Sequence, residues 1–303
     1  MVEIADAHSD FAGFWANGGY GGRLYDSGGV EDMLRGGVRL QVFAAWVPPG
    51  YGAGLALCEK QFCFMRKIIG GSDGKIILCT KADDLNKKDA LKAVFAVESG
   101  ETIGFDAGAI SGLYGAGVRM MSLTWNGENE FASGCHARGG LKEKGALAVG
   151  ELDRLNIALD MSHINEQGFW EAAQIYRRSP CASHSCAFRV KEDPRNLKDD
   201  QIKHLIGSGG YIGVNFYNEF LKGKNAAVED VLEHIEHILS LGGEDCAGFG
   251  SDFFGIRYAP EGLGSPSDFQ RLPEAMAKRN YPQELISKIC YGNLERYILK
   301  FLQ

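Results

Sequence analysis

Short apolar runs rich in β-branched and aromatic residues alternate with stretches of helical periodicity along the whole chain. The apolar runs predict eight strands, near residues 2–8, 38–46, 93–98, 118–124, 157–163, 180–184, 211–216 and 246–252. The amphipathic stretches predict helices at 55–69, 141–155, 165–178, 199–208 and 227–241, and a closing helical region at 283–301 that we expect to be interrupted at Gly292. Because parallel neighbouring strands need crossover connections, this alternation indicates a parallel sheet covered by helices.

Eight strand–helix units are the number that closes a (β/α)8 barrel of the TIM type, which is the predicted fold class. The chain has 303 residues, enough for one barrel of about 250 residues with loop insertions. A doubly wound open sheet is the alternative fold. No linker or internal repeat divides the sequence, so we expect a single domain over residues 1–303.

The charge and the apolar segments exclude several classes of protein. The formal net charge is −7, and no basic run stands out, so a nucleic-acid partner is not expected. No segment approaches the roughly 18–20 apolar residues that span a bilayer, and MVEIADAHSDF lacks the pattern of a signal peptide. We therefore expect a soluble cytoplasmic protein with no membrane partner, and a homodimer only on general frequency.

Cysteine and serine chemistry is not indicated. The eight cysteines form no CxxC pair, and most lie in apolar surroundings, where cysteine acts as a small buried hydrophobe. There is no GxSxG motif, and no cysteine has an evident histidine partner beyond the proximity of His184 and Cys186. A serine or cysteine nucleophile is therefore disfavoured.

Ionisable side chains collect where the predicted strands end. These candidate metal ligands and acid–base groups are His8, Asp10, Glu98, His163, His184 and Asp252. In a parallel barrel the carboxyl ends of all strands surround one mouth, where barrel enzymes place their chemistry. Three imidazoles and three carboxylates suit zinc, manganese or iron(II). Six groups exceed the needs of one tetrahedral ion, so the sequence predicts two ions about 3.5–4 Å apart that share a carboxylate.

Each candidate also has a purely structural interpretation. A histidine that ends a strand is often only a hydrogen-bonded structural residue, Asp252 in GSDFFG could cap a helix, and Glu98 could belong to a turn. Their joint placement at strand ends favours the metal site. His234 and His237 lie three residues apart at or beyond the edge of the apolar stripe of their helix, which predicts a solvated helix face.

The same segments resemble the renal, or membrane, dipeptidase family of binuclear zinc peptidases, which have an amidohydrolase-type barrel. The resemblance is collinear from residue 6 to about residue 256, with a similar tail in YGNLERYI. The matching segments are DAHSD (6–10), GGVRLQVFAAWV (36–47), ESG (98–100), GVRMMSLTWN (117–126), GGLKEKG (139–145), LDMSH (159–163), ASHS (182–185), DPRNLKDDQI (193–202), GVNFY (213–217) and GFGSDFFGI (248–256).

The resemblance implies a role for each matching residue. It implies two divalent ions, most simply Zn²⁺, with His8, Asp10 and Glu98 at the first ion. Glu98 then bridges to the second ion, which His163 and His184 complete. Asp252 is implied to orient a metal-bridging hydroxide and to pass its proton to the leaving amine. The resemblance also implies substrate contacts, through Arg195 to the terminal carboxylate and through Trp125 and Tyr217.

One position departs from the family pattern. The renal-type enzyme has a histidine after LT, which contacts the oxygen of the tetrahedral intermediate, and this chain has Trp125 there. Losing one such donor typically costs about 10²–10³ in rate. A metal ion, Asn126 or a loop group such as His136 could supply the lost interaction. The expected function is a dipeptidase, with D-residues tolerated at the C-terminal side. The alternatives are a related metallohydrolase acting on another small amide or ester, and a non-catalytic metal-binding protein of the same fold.

Overall fold

Eight parallel strands close into a barrel in the computed structural model, which describes residues 1–16 and 29–303. The ring is closed by the pairing of β2 with β4, which runs from Leu40–Lys92 to Trp46–Glu98. All eight predicted strands are members of this ring, and the open-sheet alternative is wrong. The ring strands are β1 (Ile4–Ser9), β2 (Val38–Trp46), β4 (Leu91–Glu98), β5 (Val118–Ser122), β6 (Ala158–Asp160), β7 (Cys181–Ala182), β8 (Tyr211–Val214) and β9 (Ala247–Phe249).

A ninth strand, β3 (Ile76–Leu78), lies outside the ring and was not predicted. It pairs with the first three residues of β4, on the side where β5 pairs with the later residues. The run KIILCT is apolar enough to form a strand, but it is short and ends before β4 meets β5. This strand therefore extends the wall beside β4 without entering the closed ring.

Helices follow the strands around the outside of the barrel. The five predicted internal helices are confirmed, with ends within three residues of the prediction. The closing region is also helical, but it contains a π-helical turn at Lys288–Gly292 in place of a break. The α-helices are α1 (Phe11–Ala16), α2 (Val30–Arg35), α3 (Gly54–Gly70), α4 (Ala109–Gly115), α5 (Glu143–Leu155), α6 (Glu166–Ile175), α7 (Asp199–Gly207), α8 (Asn218–Leu221), α9 (Val228–Ser240), α10 (Arg271–Lys278), α11 (Gln283–Ser287) and α12 (Asn293–Leu299).

The strands are buried on both faces, as expected for a parallel sheet inside a ring of helices. Alternate residues of β4 face opposite sides: Phe95 and Val97 pack under the helices, whereas Val94 and Ala96 fill the barrel interior. At the amino ends of the strands, Tyr297 of α12 packs into the same interior cluster. The closing helix thus covers the end of the barrel opposite the predicted metal site.

The prediction that His234 lies on a solvated helix face is wrong. His234 is fully buried, between Val231 and Ile238 on the inner face of α9. Its Nδ1 accepts a hydrogen bond from the backbone N–H of Ala187, and its Nε2 lies 3.0 Å from the carbonyl oxygen of Leu221. Because both ring nitrogens have backbone partners, the imidazole can be buried at little cost. His237 is only half-buried and pairs with Asp199.

Two further observations concern the surface and the thiols. Among the described helices, none combines the length and the apolar character that a bilayer-spanning segment requires. Six of the eight cysteines are buried as free thiols, which agrees with their interpretation as small hydrophobes. Cys63 is exposed and Cys135 is half-buried.

Candidate metal centre

The six predicted site residues converge at the carboxyl ends of five strands. His8 is the fifth residue of β1, Glu98 ends β4, and Asp10 follows β1 directly. His163, His184 and Asp252 lie two or three residues after the ends of β6, β7 and β9. Side chains that are up to 244 residues apart in sequence therefore meet in one buried cluster. His8, Glu98, His163 and His184 are almost completely buried, and Asp10 and Asp252 are nearly so.

The first half of the cluster surrounds the His8 ring. Its Nε2 lies 3.5 Å from Glu98 Oε2, 4.0 Å from Asp10 Oδ2 and 3.9 Å from Asp252 Oδ1. Ligand atoms of His8, Asp10 and Glu98 all lie within 4.8 Å of one another, which is close enough to share one cation. These are the residues that the resemblance assigns to the first ion.

The second half lies on the other oxygen of Glu98. His163 Nε2 is 2.9 Å from Glu98 Oε1 and 2.8 Å from His184 Nε2, and His184 Nε2 is 3.9 Å from the same carboxylate oxygen. Glu98 thus presents Oε2 to His8 and Oε1 to the two other histidines. This is the arrangement that a carboxylate bridging two ions would have.

Side chains behind the cluster orient its rings and its carboxylate. Asn126 Oδ1 lies 2.7 Å from His163 Nδ1, so the ring donates its proton there and directs the Nε2 lone pair inward. Asn215 Nδ2 donates to Asp252 Oδ2, which leaves Oδ1 on the His8 side. The Asn215 amide is itself oriented, because its Oδ1 accepts from the backbone N–H of Tyr217.

Burial and charge shift the protonation of the cluster strongly. Burial opposes charging of His8, but Glu98, Asp10 and Asp252 outweigh it and raise the pKa of His8 to about 10. Burial and nearby Arg195 lower the pKa of His163 to about 4, and burial also lowers the pKa of His184. Burial raises the pKa of Asp252 to about 6. The three carboxylates thus attract positive charge that the two neutral imidazoles do not supply.

The donor set fits divalent cations. Within residues 1–16 and 29–303, neither ring nitrogen of His8 finds a hydrogen-bond partner, although both are buried, and the same holds for Asp10 Oδ1. The Nε2 atoms of His163 and His184 face each other at 2.8 Å, so a cation beside them would be within reach of both ring nitrogens. A mixed set of imidazole and carboxylate ligands is the one that zinc, manganese and iron(II) accept.

The backbone of the site is unusual at two of these residues. His163 has φ of +70° and Asp252 has φ of +60°, both in the left-handed region that side chains other than glycine rarely adopt. Gly255 approaches the site so closely that a Cβ there would lie 2.0 Å from Asp10 Oδ2. The chain therefore turns sharply into the cluster at the strand ends.

A cavity of about 530 Å³ opens onto the cluster. Its floor includes Glu98 and Asp252, and its walls include the predicted substrate contacts Trp125 and Tyr217. The Trp125 ring stands 5.5 Å from that of Trp46 and 6.4 Å from that of His163, so the residue that replaces the family's histidine lies beside the metal centre. His136 is exposed and lies outside this lining.

Arg195 lines a smaller adjoining cavity of about 220 Å³, which shares His163 with the larger one. Its guanidinium is 3% exposed and donates to Ser185 Oγ and to the carbonyl oxygen of His184. It forms no ion pair with any residue that the structure describes. A buried cation without an anionic partner is suited to receive an anionic group.

The hydrogen bonds behind the cluster were not assigned from the sequence. They are those of Asn126 and Asn215, and the contacts of Ser183 Oγ with Asp160 Oδ2 and with His184 Nδ1. A signal existed for Asp160, because a carboxylate interrupts the apolar run IALDM before His163. Ser183 and Asn215 give no such signal, since each meets its partner only through strand pairing.

Comparison with known proteins gives the family. The model of the membrane dipeptidase family, peptidase family M19, matches residues 26–301. The chain is 31% identical over 256 residues to an uncharacterized protein of Klebsiella pneumoniae encoded in the pqqA 5′ region, a match that covers 79% of this chain and 94% of that protein. It is also 31% identical over 216 residues to an uncharacterized dipeptidase of Schizosaccharomyces pombe, with 68% of this chain and 48% of that protein covered.

Solved structures agree with this assignment. The fold matches dipeptidase AC, a metallopeptidase of family M19, with a TM-score of 0.91 and 26% identity, over 99% of each chain. It matches a metallopeptidase from Rhodobacter sphaeroides, solved with a phosphinate mimic of the dipeptide L-Ala-D-Ala, with a TM-score of 0.90, 25% identity and 99% of each chain covered. The chain therefore belongs to the membrane dipeptidase family, and it is a metal-dependent hydrolase of peptide bonds in small peptides.

Proposed function

We propose that the protein hydrolyses dipeptides with two zinc ions held at the barrel mouth. His8, Asp10 and Glu98 would hold one ion, and Glu98, His163 and His184 the other. The observation that carries this proposal is the buried donor set around Glu98, whose two oxygens face the two groups of ligands and in which, among the described residues, the His8 ring nitrogens and Asp10 Oδ1 have no hydrogen-bond partner.

Asp252 is proposed as the acid–base residue. When bound, divalent cations lower the pKa of water and polarise a carbonyl group, which is the chemistry that the chain's own side chains lack. Asn215 occupies Asp252 Oδ2, so Oδ1, on the His8 side, is the oxygen that accepts a proton from water and returns it to the leaving amine.

Arg195 is proposed to bind the terminal carboxylate of the substrate. Its present acceptors are both neutral, and it is buried beside His163 and His184. A carboxylate would supply the missing counter-charge and accept charge-assisted hydrogen bonds. This contact would restrict the enzyme to short peptides whose free carboxylate lies close to the scissile bond.

We propose further that dipeptides with a C-terminal D-residue are among the substrates. The related Rhodobacter sphaeroides metallopeptidase was solved with a mimic of L-Ala-D-Ala, and this chain matches it over 99% of its length. Trp125 and Trp46 add two large apolar surfaces to the cavity, so side-chain preference is expected to follow these two rings.

Metal analysis and a substrate panel test the proposal together. The purified protein should bind two zinc equivalents and should hydrolyse L-L and L-D dipeptides. The same dipeptides with an amidated C-terminus should be poor substrates, because they lack the carboxylate that Arg195 is proposed to bind. Two bound ions with turnover only of other small amides or esters would favour the alternative hydrolase, for which Trp125 is the supporting observation. Absence of both metal and turnover would contradict the proposal.

Asp252→Asn tests the acid–base role. The asparagine side chain has nearly the same shape, and asparagine tolerates the left-handed backbone at this position. We expect two zinc equivalents to be retained and kcat to fall by about 10²–10⁴, the range of general acid–base catalysis. Asp245→Asn, at an exposed aspartate remote from the site, is the matched control and should be fully active. A fully active Asp252→Asn enzyme would show that the assignment is wrong.

A further inference from the structure

A chain of three buried side chains runs from Asp160 through Ser183 to His184. Ser183 Oγ donates to Asp160 Oδ2, and His184 Nδ1 lies 2.7 Å from the same Ser183 oxygen. Ser183 and His184 are completely buried and Asp160 is 5% exposed, so water does not compete for these contacts. The chain approaches His184 on the side opposite to the nitrogen that faces the metal cluster.

The direction of the hydrogen bonds in this chain is fixed by chemistry. An ionised carboxylate only accepts hydrogen bonds, so the single proton of the Ser183 hydroxyl must point to Asp160. The hydroxyl oxygen is then an acceptor towards His184, and the ring must carry its proton on Nδ1. A neutral ring with its proton on Nδ1 presents a lone pair on Nε2, which faces His163 and Glu98.

We propose that Asp160 and Ser183 are positioning residues that set the tautomer of His184 and so prepare Nε2 to bind metal. This inference rests on the proposed function, in which His184 is a ligand of the second ion. Asp160 acts through Ser183. Its carboxylate lies within 4.8 Å of ring nitrogens of His8 and His184, but we propose that it is not a metal ligand.

The positions of Asp160 and Ser183 are held by the surrounding backbone. Asp160 Oδ1 accepts hydrogen bonds from the backbone N–H groups of Ser162 and Ser183, so both carboxylate oxygens are occupied. Two glycines pack closely against the Ser183 backbone. A Cβ would lie 2.1 Å from the Ser183 carbonyl oxygen at Gly213 and 1.8 Å from it at Gly250. Ser183 therefore has little room to move away from either partner.

Asp160→Asn should reverse the direction of both hydrogen bonds, those that Ser183 makes with residue 160 and with His184, while the side-chain volume stays almost the same. The side-chain carbonyl oxygen of the introduced asparagine would keep the two backbone donors, which places its amide NH₂ against Ser183 Oγ. The hydroxyl would then accept from the amide and donate to His184 Nδ1, and the ring proton would move to Nε2. A proton on Nε2 blocks metal binding at the atom where the lone pair is needed.

Zinc affinity, measured by competition with a chromogenic chelator, is the first readout. We expect Asp160→Asn to weaken one of the two zinc ions by about 10–100-fold, the usual effect of losing a partner behind a ligand. Ser183→Ala should weaken it less, because either tautomer remains available. Ser208→Ala removes a hydroxyl that bonds only the Leu205 carbonyl oxygen at the end of α7, so it leaves these three side chains untouched and should bind both ions like the wild type.

The ring protons give a second readout that does not depend on turnover. In ¹⁵N-labelled, zinc-free protein, where no metal fixes the tautomer, His184 should carry its proton on Nδ1 in the wild type, and Asp160→Asn should abolish that signal. If Asp160 were only structural, the isosteric asparagine would be the milder change and Ser183→Ala the more damaging one. That order of zinc affinities, or an Nδ1 proton retained in Asp160→Asn, would overturn the proposal.

The two proposals fail in different ways. Wild-type protein that binds two zinc ions and cleaves dipeptides, together with an Asp160→Asn protein of equal zinc affinity, would overturn only the positioning role. Wild-type protein without zinc at His184 would overturn the proposed function. The position of the ring proton in the wild type and in Asp160→Asn would then decide the positioning role by itself.

Discussion

Acidification should destabilise the protein through His234, because its buried ring is held in the neutral form. Ala187 N–H donates to Nδ1, so a proton added there would face another donor and break that bond. Burial accordingly lowers the pKa of His234 to about 4, against about 6.5 in an unfolded chain. The neutral ring joins the loop after β7, the end of α8 and α9.

The sign and the size of the effect follow from these two pKa values. Between pH 6.5 and pH 4 the unfolded chain binds a proton at His234 and the folded protein does not, so the free energy of unfolding falls as the pH falls. The contribution is complete above pH 7. About 2 kcal/mol is lost by pH 5, and the loss levels off at about 3 kcal/mol below pH 4, at 1.36 kcal/mol for each pKa unit.

The comparison of wild type with His234→Gln isolates this contribution. Glutamine can still donate to the Leu221 carbonyl oxygen but has no titrating group, so its stability lacks this pH dependence. In urea unfolding, we expect the stability advantage of the wild type to shrink by about 2 kcal/mol between pH 8 and pH 5. His237→Gln, on the same helix but half-buried, is the control. An advantage that stays constant within about 0.5 kcal/mol over this range would refute the reasoning.

Three further predictions concern the metal centre. Gly255→Ala should displace the Asp10 carboxylate and weaken zinc binding about tenfold in chelator competition. Gly264→Ala is the control, because its new Cβ would lie 3.8 Å from the nearest atom, and it should bind zinc like the wild type. Equal zinc affinities of the two variants would contradict the close approach of Gly255 to Asp10. Arg195→Met should raise KM for dipeptides by about 10–100-fold, because a hydrogen bond to a charged group contributes about 1.5–3 kcal/mol. The change in kcat should be smaller, and an unchanged KM would exclude the carboxylate contact. Removal of zinc with a chelator should lower the free energy of unfolding. The loss should be about 4 kcal/mol when the reference protein is in free zinc at 1,000 times Kd. A melting temperature that does not change on zinc removal would count against a buried ion.

The ring of the barrel could be predicted from the sequence because its strands carry the strongest local pattern. Runs such as VFAVE combine continuous hydrophobicity with a polar residue at the end, and eight of them with helices between admit few parallel arrangements. Strand β3 was missed although β7 is shorter still, so length is not the reason. Eight strands already close the ring, and β3 pairs with only the first three residues of one neighbour outside it.

The candidate ligands were predictable, but the groups behind them were not. Glu98 and His184 stand at strand ends, where fold and chemistry together make them conspicuous. Asp160 meets Ser183 because β6 and β7 are neighbours, and those strands share a single paired position, Asp160 with Cys181. His234 was misjudged because its place at the edge of the apolar stripe predicts a solvated face, whereas the ring is buried and two backbone groups distant in sequence satisfy it.

The left-handed backbone at His163 and Asp252 costs folding stability at residues that the proposed reaction needs. A non-glycine residue in that region typically costs about 1–3 kcal/mol, and the surrounding barrel must supply this energy. Asp252→Gly would relieve that strain, and we expect the inactive protein to melt at a higher temperature than the working enzyme. Selection for heat resistance alone would therefore tend to discard the residue on which proton transfer is proposed to depend.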